Sequence, residues 1–133
     1  MNKRNFQRSV LIGIILLMSS AAAFSQASNP NYNKANETTV KGTVTAVSKV
    51  ESAGVWGGTL LAIKTDNGIL DVHVGPASFL EQNKISFAKG DQIEATGSKA
   101  TFFGDDAILA REIKKGNQAL TLRDARGFPL WRR

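Results

Sequence analysis

The single histidine of the chain, His73, lies in Ile69-Leu70-Asp71-Val72-His73-Val74. Period-2 alternation puts it in phase with Asp71 and opposite Val72 and Val74. Such an imidazole, with Asp71 or Glu81, would bind a metal or titrate near neutrality. One histidine and no cysteine make a poor metal centre, so the expected role is a hydrogen bond to a nearby carboxylate or carbonyl. The absence of cysteine also removes disulfides, thiolate zinc sites, iron–sulfur clusters, attached c-type haem and a cysteine nucleophile. Asp71, Asp91, Asp105 and Asp106 are too dispersed for a calcium loop, which needs about six to eight oxygens. They read as turn residues. Glu81 and Glu112 have nothing to fix their separation as an acid/base pair. Gly54-Val55-Trp56-Gly57-Gly58 is neither a dinucleotide fingerprint nor a phosphate loop. The expectation is a protein that is not an enzyme, with no metal and no cofactor.

The residues that remain suit binding. Trp56 sits in a glycine-rich loop, where an aromatic ring can stack on a base or sugar or fold back over its own domain. Phe102 and Phe103 occupy a second tip. Lys64, Lys99 and Arg111 are the cations that would serve a nucleic-acid face. Near the end of the sequence, Arg123-Asp124-Ala125-Arg126-Gly127-Phe128-Pro129-Leu130-Trp131 combines a turn with an apolar strip. Arg123 and Arg126 offer bidentate contacts to carboxylate or phosphate. The competing reading makes residues 123–133 a strap with Trp131 as its anchor, since large apolar residues in a tail are usually docked.

The first stretch reads as an address. Lys3, Arg4 and Arg8 precede the apolar run Val10–Met18, and Ser25-Gln26-Ala27 supplies small residues for cleavage. The run is too short to span a bilayer. Cleavage is expected after Ala27, with Ala23 the second choice, giving a periplasmic or secreted product with no membrane insertion. The chain has 133 residues and a net charge of +6, and residues 1–27 hold three cations and no acid. Half of the net charge therefore leaves with the signal segment. All of the remainder sits in Arg123, Arg126, Arg132 and Arg133 less Asp124, so the body of the domain is neutral and lacks the basic stripe usual in a nucleic-acid binder.

Residues 28–37 are polar and aperiodic and read as a flexible leader. The domain is expected over 38–133. From Thr38 a long alternating run with an internal glycine predicts a bent first strand. Thr59–Thr65 and Ile69–Val74 flank Asp66-Asn67-Gly68, a hairpin signal in which both Asn67 and Gly68 tolerate positive φ. Pro76 opens a short helix over Ala77–Asn83. Strands follow at Gln92–Ala100 and Ala107–Lys114, around a Gly104-Asp105-Asp106 turn, and a short sixth at Ala119–Arg123.

Three strands, a helix and two or three more strands predict an all-β Greek-key barrel of the OB-fold kind, five- to six-stranded, with the helix between strands three and four. A small β-sandwich or SH3-like barrel is the competitor. The expected interior is Val40, Val44, Leu61, Ile63, Leu70, Val72, Val74, Ile93, Ala95, Ile108 and Ala110, with Leu80 plugging one end. Phe87–Gly97, Gly104 and Ala107–Ile113 resemble the second half of bacterial OB-folds. More narrowly, Val72–Pro76, Ala110-Arg111-Glu112 and Leu122–Trp131 resemble a family of small exported bacterial OB-fold proteins of unassigned function. The resemblance implies the fold, brings no catalytic residues, and includes members found beside electron-transfer proteins. The expected function is an exported accessory module that binds an envelope or redox partner protein through the Trp56 loop, the outward face carrying His73 and the strap. Oligonucleotide or oligosaccharide binding is the alternative, and would need Lys64, Lys99 and Arg111 gathered beside Trp56.

Overall fold

The structure is a computed structural model and describes residues 29–132. The expected signal segment lies outside the described residues. Six strands run β1 (Glu37–Val50), β2 (Gly58–Thr65), β3 (Gly68–Gly75), β4 (Gln92–Phe102), β5 (Asp105–Lys115) and β6 (Gln118–Thr121), with helix α1 (Ala77–Gln82) between β3 and β4. The sheet order is β3-β2-β1-β4-β5-β6. A parallel pairing of β3 with β5, from Asp71↔Ala107 to His73↔Leu109, closes the first five strands into an OB-like barrel. Closure satisfies the strand edges that an open sheet would leave bare. Among the described residues, no helix is long and apolar enough to cross a membrane.

Strand β1 serves both halves of the barrel. Residues Glu37–Thr43 pair with β4 and Thr43–Val50 with β2. The turn-over falls at Gly42, where a Cβ would stand 2.7 Å from the Lys64 carbonyl oxygen, so only glycine admits this approach. A bulge at Thr45 follows. Strand β5 carries a second bulge. Thr96 faces Glu112 while Gly97 faces Ala110, which leaves Arg111 unpaired with β4. The Arg111 carbonyl accepts instead from Leu122 N at 2.7 Å, which brings the strap back onto the barrel.

The interior holds Val44, Leu61, Ile63, Val72, Val74, Ile93, Ala95, Ile108 and Ala110, with Leu80 of α1 among them and Val40 and Leu70 packed against them. Every interior position expected from alternation is there. Ile85, Ile113, Leu120 and Leu122 join them. The β2–β3 hairpin departs from expectation. Thr65 pairs with Gly68, so Asp66 and Asn67 form the turn, and only Gly68 takes positive φ, at 113°. Thr65 Oγ1 caps it, donating to Gly68 O at 2.8 Å and accepting from Asn67 N at 3.1 Å.

The expected flexible leader is, over its described part, docked. Asn29 donates its backbone N–H to Arg126 O at 2.9 Å and Nδ2 to Gly127 O at 3.0 Å. Tyr32 is buried, and its hydroxyl donates to Glu37 Oε1. A short 3₁₀ turn, Lys34–Asn36, leads into β1. The apolar strip at the other end is also not fully extended. Arg123 bridges Pro129, and Leu130–Arg132 form a 3₁₀ turn. Asp124 Oδ1 caps the tight turn, accepting from Arg126 N and Phe128 N at 3.0 Å each.

Candidate functional site

The outer face of β2, β3, β5 and β4 carries one transverse row of side chains. Leu60 pairs with His73, His73 with Leu109, and Leu109 with Ser98. Residues on this face were expected to meet solvent. All four are buried, His73 completely. Three segments cover them: the β1–β2 loop with Trp56, the N-terminal segment with Tyr32, and the strap with Trp131. The Trp56 ring stands edge-on to His73 at 5.9 Å, and Trp131 lies 6.1 Å from it on another side. Trp131 continues to Phe79 of α1 at 5.8 Å.

His73 Nε2 lies 2.8 Å from Gly57 O, and Nδ1 is buried with no partner among the described residues. Nε2–H is therefore the donor, and the ring is neutral in the fold. Burial pushes His73 below its ordinary value; the Gly57 carbonyl opposes this, and the nearby Arg123 charge adds to it. The imidazole is a sealed structural group with a carbonyl partner. It does not sit on an open outward face, and no group of three or more metal-ligating side chains occurs among the described residues.

The open feature lies at the tip next to this covered face. Phe102 lies tilted against Trp56 at 5.1 Å, and Phe103 packs edge-on to Phe102 at 4.6 Å. These rings wall a cleft of about 570 Å³ between the β1–β2 loop and the β4–β5 turn, with Glu51 its only charged lining residue among those described. In OB-folds these two loops border the ligand face. Phe103 is 91% exposed. The β4–β5 turn begins at Phe103 and Gly104, with φ of 50° and 83°, not at the expected Gly104-Asp105-Asp106; both aspartates belong to β5. Positive φ at both central residues defines a turn that favours Asn-Gly, and an exposed phenylalanine there is strained without contributing to the core.

The expected cationic face does not assemble. Lys64 lines a shallow groove with Lys41, Lys114, Asp66 and Glu94. Lys99 lines a different one with Asp106. Arg111 is half-buried and paired with Glu37, which also accepts from Tyr32. Its guanidinium holds Glu37 below the usual carboxylate value. Arg126 is exposed over the Phe128 ring at 5.2 Å and does not converge with Arg123. Burial, then the Asp105 charge, raises Asp71. Asp91 accepts from Ala88 N at 2.8 Å and pairs with Lys115 at 3.1 Å. Glu112 faces Lys114 at 3.7 Å and Glu81 is exposed on α1. Sequence reasoning missed Tyr32, Phe79 and Arg132 as parts of these surfaces. Trp131 next to Arg132 was the one local signal for the last of them.

Fold and cleft together define a small OB-like barrel with an aromatic, loop-bordered mouth and a sealed outer face. The chain belongs to the MamS/MamX magnetosome protein family, whose model matches residues 36–120. That span takes in β1 through most of β6 and leaves the strap outside. No curated protein matches the chain.

Proposed function

We propose that this chain is an exported, non-enzymatic accessory module that engages a partner protein through the aromatic tip formed by Trp56, Phe102 and Phe103. One observation carries the reading. Phe103 is 91% exposed at a φ of 50°, so the fold bears a strained backbone position to present an apolar ring to solvent. Strain kept for a ring that lies outside the core points to function. The cleft wall is nearly uncharged, which favours a protein surface over a phosphate backbone. The basic start, apolar run and small-residue triplet at residues 1–27 support export. Membership of the MamS/MamX magnetosome protein family supports placing the accessory role with the magnetosome.

The test is gel filtration of the native cell's envelope fraction. The wild-type chain elutes in an assembly larger than itself, and Phe103→Ser elutes as the free chain at unchanged thermal stability. Wild-type chain eluting alone, or both forms eluting in the same assembly, contradicts the reading.

A further inference from the structure

Beneath the strap lies a smaller cavity of about 210 Å³, distinct from the tip. Its wall includes Asn31, Gly54, Gly57, Arg123, Trp131 and Arg132, and no acidic residue among those described. Arg123 is the largest fully buried side chain, at 1% exposure. Its Nη1 donates to Gly127 O at 2.9 Å, and Nε is buried without a partner among the described residues. Among the described residues, no carboxylate lies within ion-pair distance of it. The guanidinium is held between the Tyr32 ring at 5.9 Å and the Trp131 ring at 5.3 Å. Aromatic faces attract the charge but leave most of its donors unused.

Burial pushes Arg123 down to about 10, Tyr32 opposes this, and the Arg132 charge adds to it more weakly, so Arg123 stays a cation at neutral pH. A buried cation without a counter-charge is costly. Here two arginines meet at one cavity whose described wall offers no negative charge.

We propose that this cavity is a binding site for a small oxyanion, a single phosphate, sulfate or carboxylate group, with Arg123 as the buried fork and Arg132 at the rim. The planar guanidinium suits two-point contact with such a group. The volume of about 210 Å³ is below the roughly 300 Å³ at which pockets begin to hold drug-sized ligands, which suits a single oxyanion group. The site shares Gly54 and Val55 of the β1–β2 loop with the aromatic cleft but neither Phe102 nor Phe103, so failure to bind an anion would leave the tip reading standing.

The test is titration of the chain from Ser28 onward with inorganic phosphate, sulfate and acetate in separate arms at constant ionic strength, followed by ¹⁵N NMR of arginine Nε–Hε groups and by melting. At least one anion moves the Arg123 Nε–Hε and Trp131 indole signals together and raises the melting temperature by a few degrees; the arms tell a phosphate or sulfate site from a carboxylate site. Arg132→Ala, at an exposed position that leaves the fold intact, weakens that anion by about tenfold. Signals that move only at surface lysines overturn the site, as does equal affinity in Arg132→Ala.

Discussion

His73 Nε2 hydrogen-bonds the carbonyl of Gly57 at 2.8 Å, tying the C-terminal half of β3 to the end of the β1–β2 loop. The bond holds Trp56 edge-on to the imidazole and fixes one edge of the aromatic cleft. The hydrogen bond to a carbonyl expected of His73 thus serves as the clasp that positions a binding loop.

Burial of His73 makes stability depend on pH. Burial depresses His73 in the fold, whereas in the unfolded chain it titrates near its ordinary value of about 6.5. The unfolded chain therefore takes up a proton first. Stability is complete above about pH 6.5 and falls as the pH drops toward the folded value. Glu37, held below the usual carboxylate range, adds its loss only at lower pH. Melting curves between pH 7 and 5 will show this slope, and His73→Gln, which keeps a donor for Gly57, will flatten it. An equal slope in both proteins rules out a depressed His73 as its source.

The tip trades stability for exposure. Phe103→Asn places a residue suited to positive φ in the β4–β5 turn and is expected to stabilise the barrel by up to about 1 kcal/mol, while removing partner engagement. Chemical denaturation measures the first effect. A clearly destabilised Phe103→Asn would mean that the ring contributes to packing, contrary to its exposure.

The strap is expected to be structural as well as a wall of the small cavity. Trp131 touches His73, Phe79 and Arg123. Because it is half-buried, Trp131→Ala should cost about 1–3 kcal/mol, less than a fully buried tryptophan. That corresponds to a melting temperature lower by roughly 5–15 °C in a domain of this size. Removing residues 128–133 should cost at least as much. Unchanged melting in either variant refutes the strap.

Nucleic acid is the competitor that the tip must exclude. A fluorescent single-stranded oligonucleotide titrated at low salt should bind weakly and with little salt dependence. The cations Lys64, Lys99 and Arg111 lie apart from the aromatic cleft, and Arg111 is paired. Tight binding with a steep negative salt slope would replace the protein-partner reading.

The barrel was legible because its local signals agree: alternation in the strands, Pro76 before the helix, and a turn residue cluster at each hairpin. The losses have specific causes. Ile113 escaped because the bulge at Arg111 shifts the parity of β5, so inward positions run 108, 110 and then 113. His73 was given an outward face correctly, but alternation cannot show that segments near both ends of the chain fold back over that face. Arg123 was read as a contact for solvent ligands because arginine is rarely buried. Its burial depends on Tyr32, ninety-one positions earlier. The leader looked unstructured because Asn29 docks through backbone groups near Gly127, which leave no trace in composition.

The central claim is that the aromatic tip, and not exposed apolar surface in general, meets a partner protein. A photo-crosslinking phenylalanine analogue placed at position 103 in living cells tests it directly, with the same analogue at Ile69, itself 61% exposed on the β2–β3 hairpin, as control. The account predicts one discrete protein adduct from position 103 and none from position 69. Equal adducts from both positions, no adduct from 103, or an adduct to nucleic acid would contradict it.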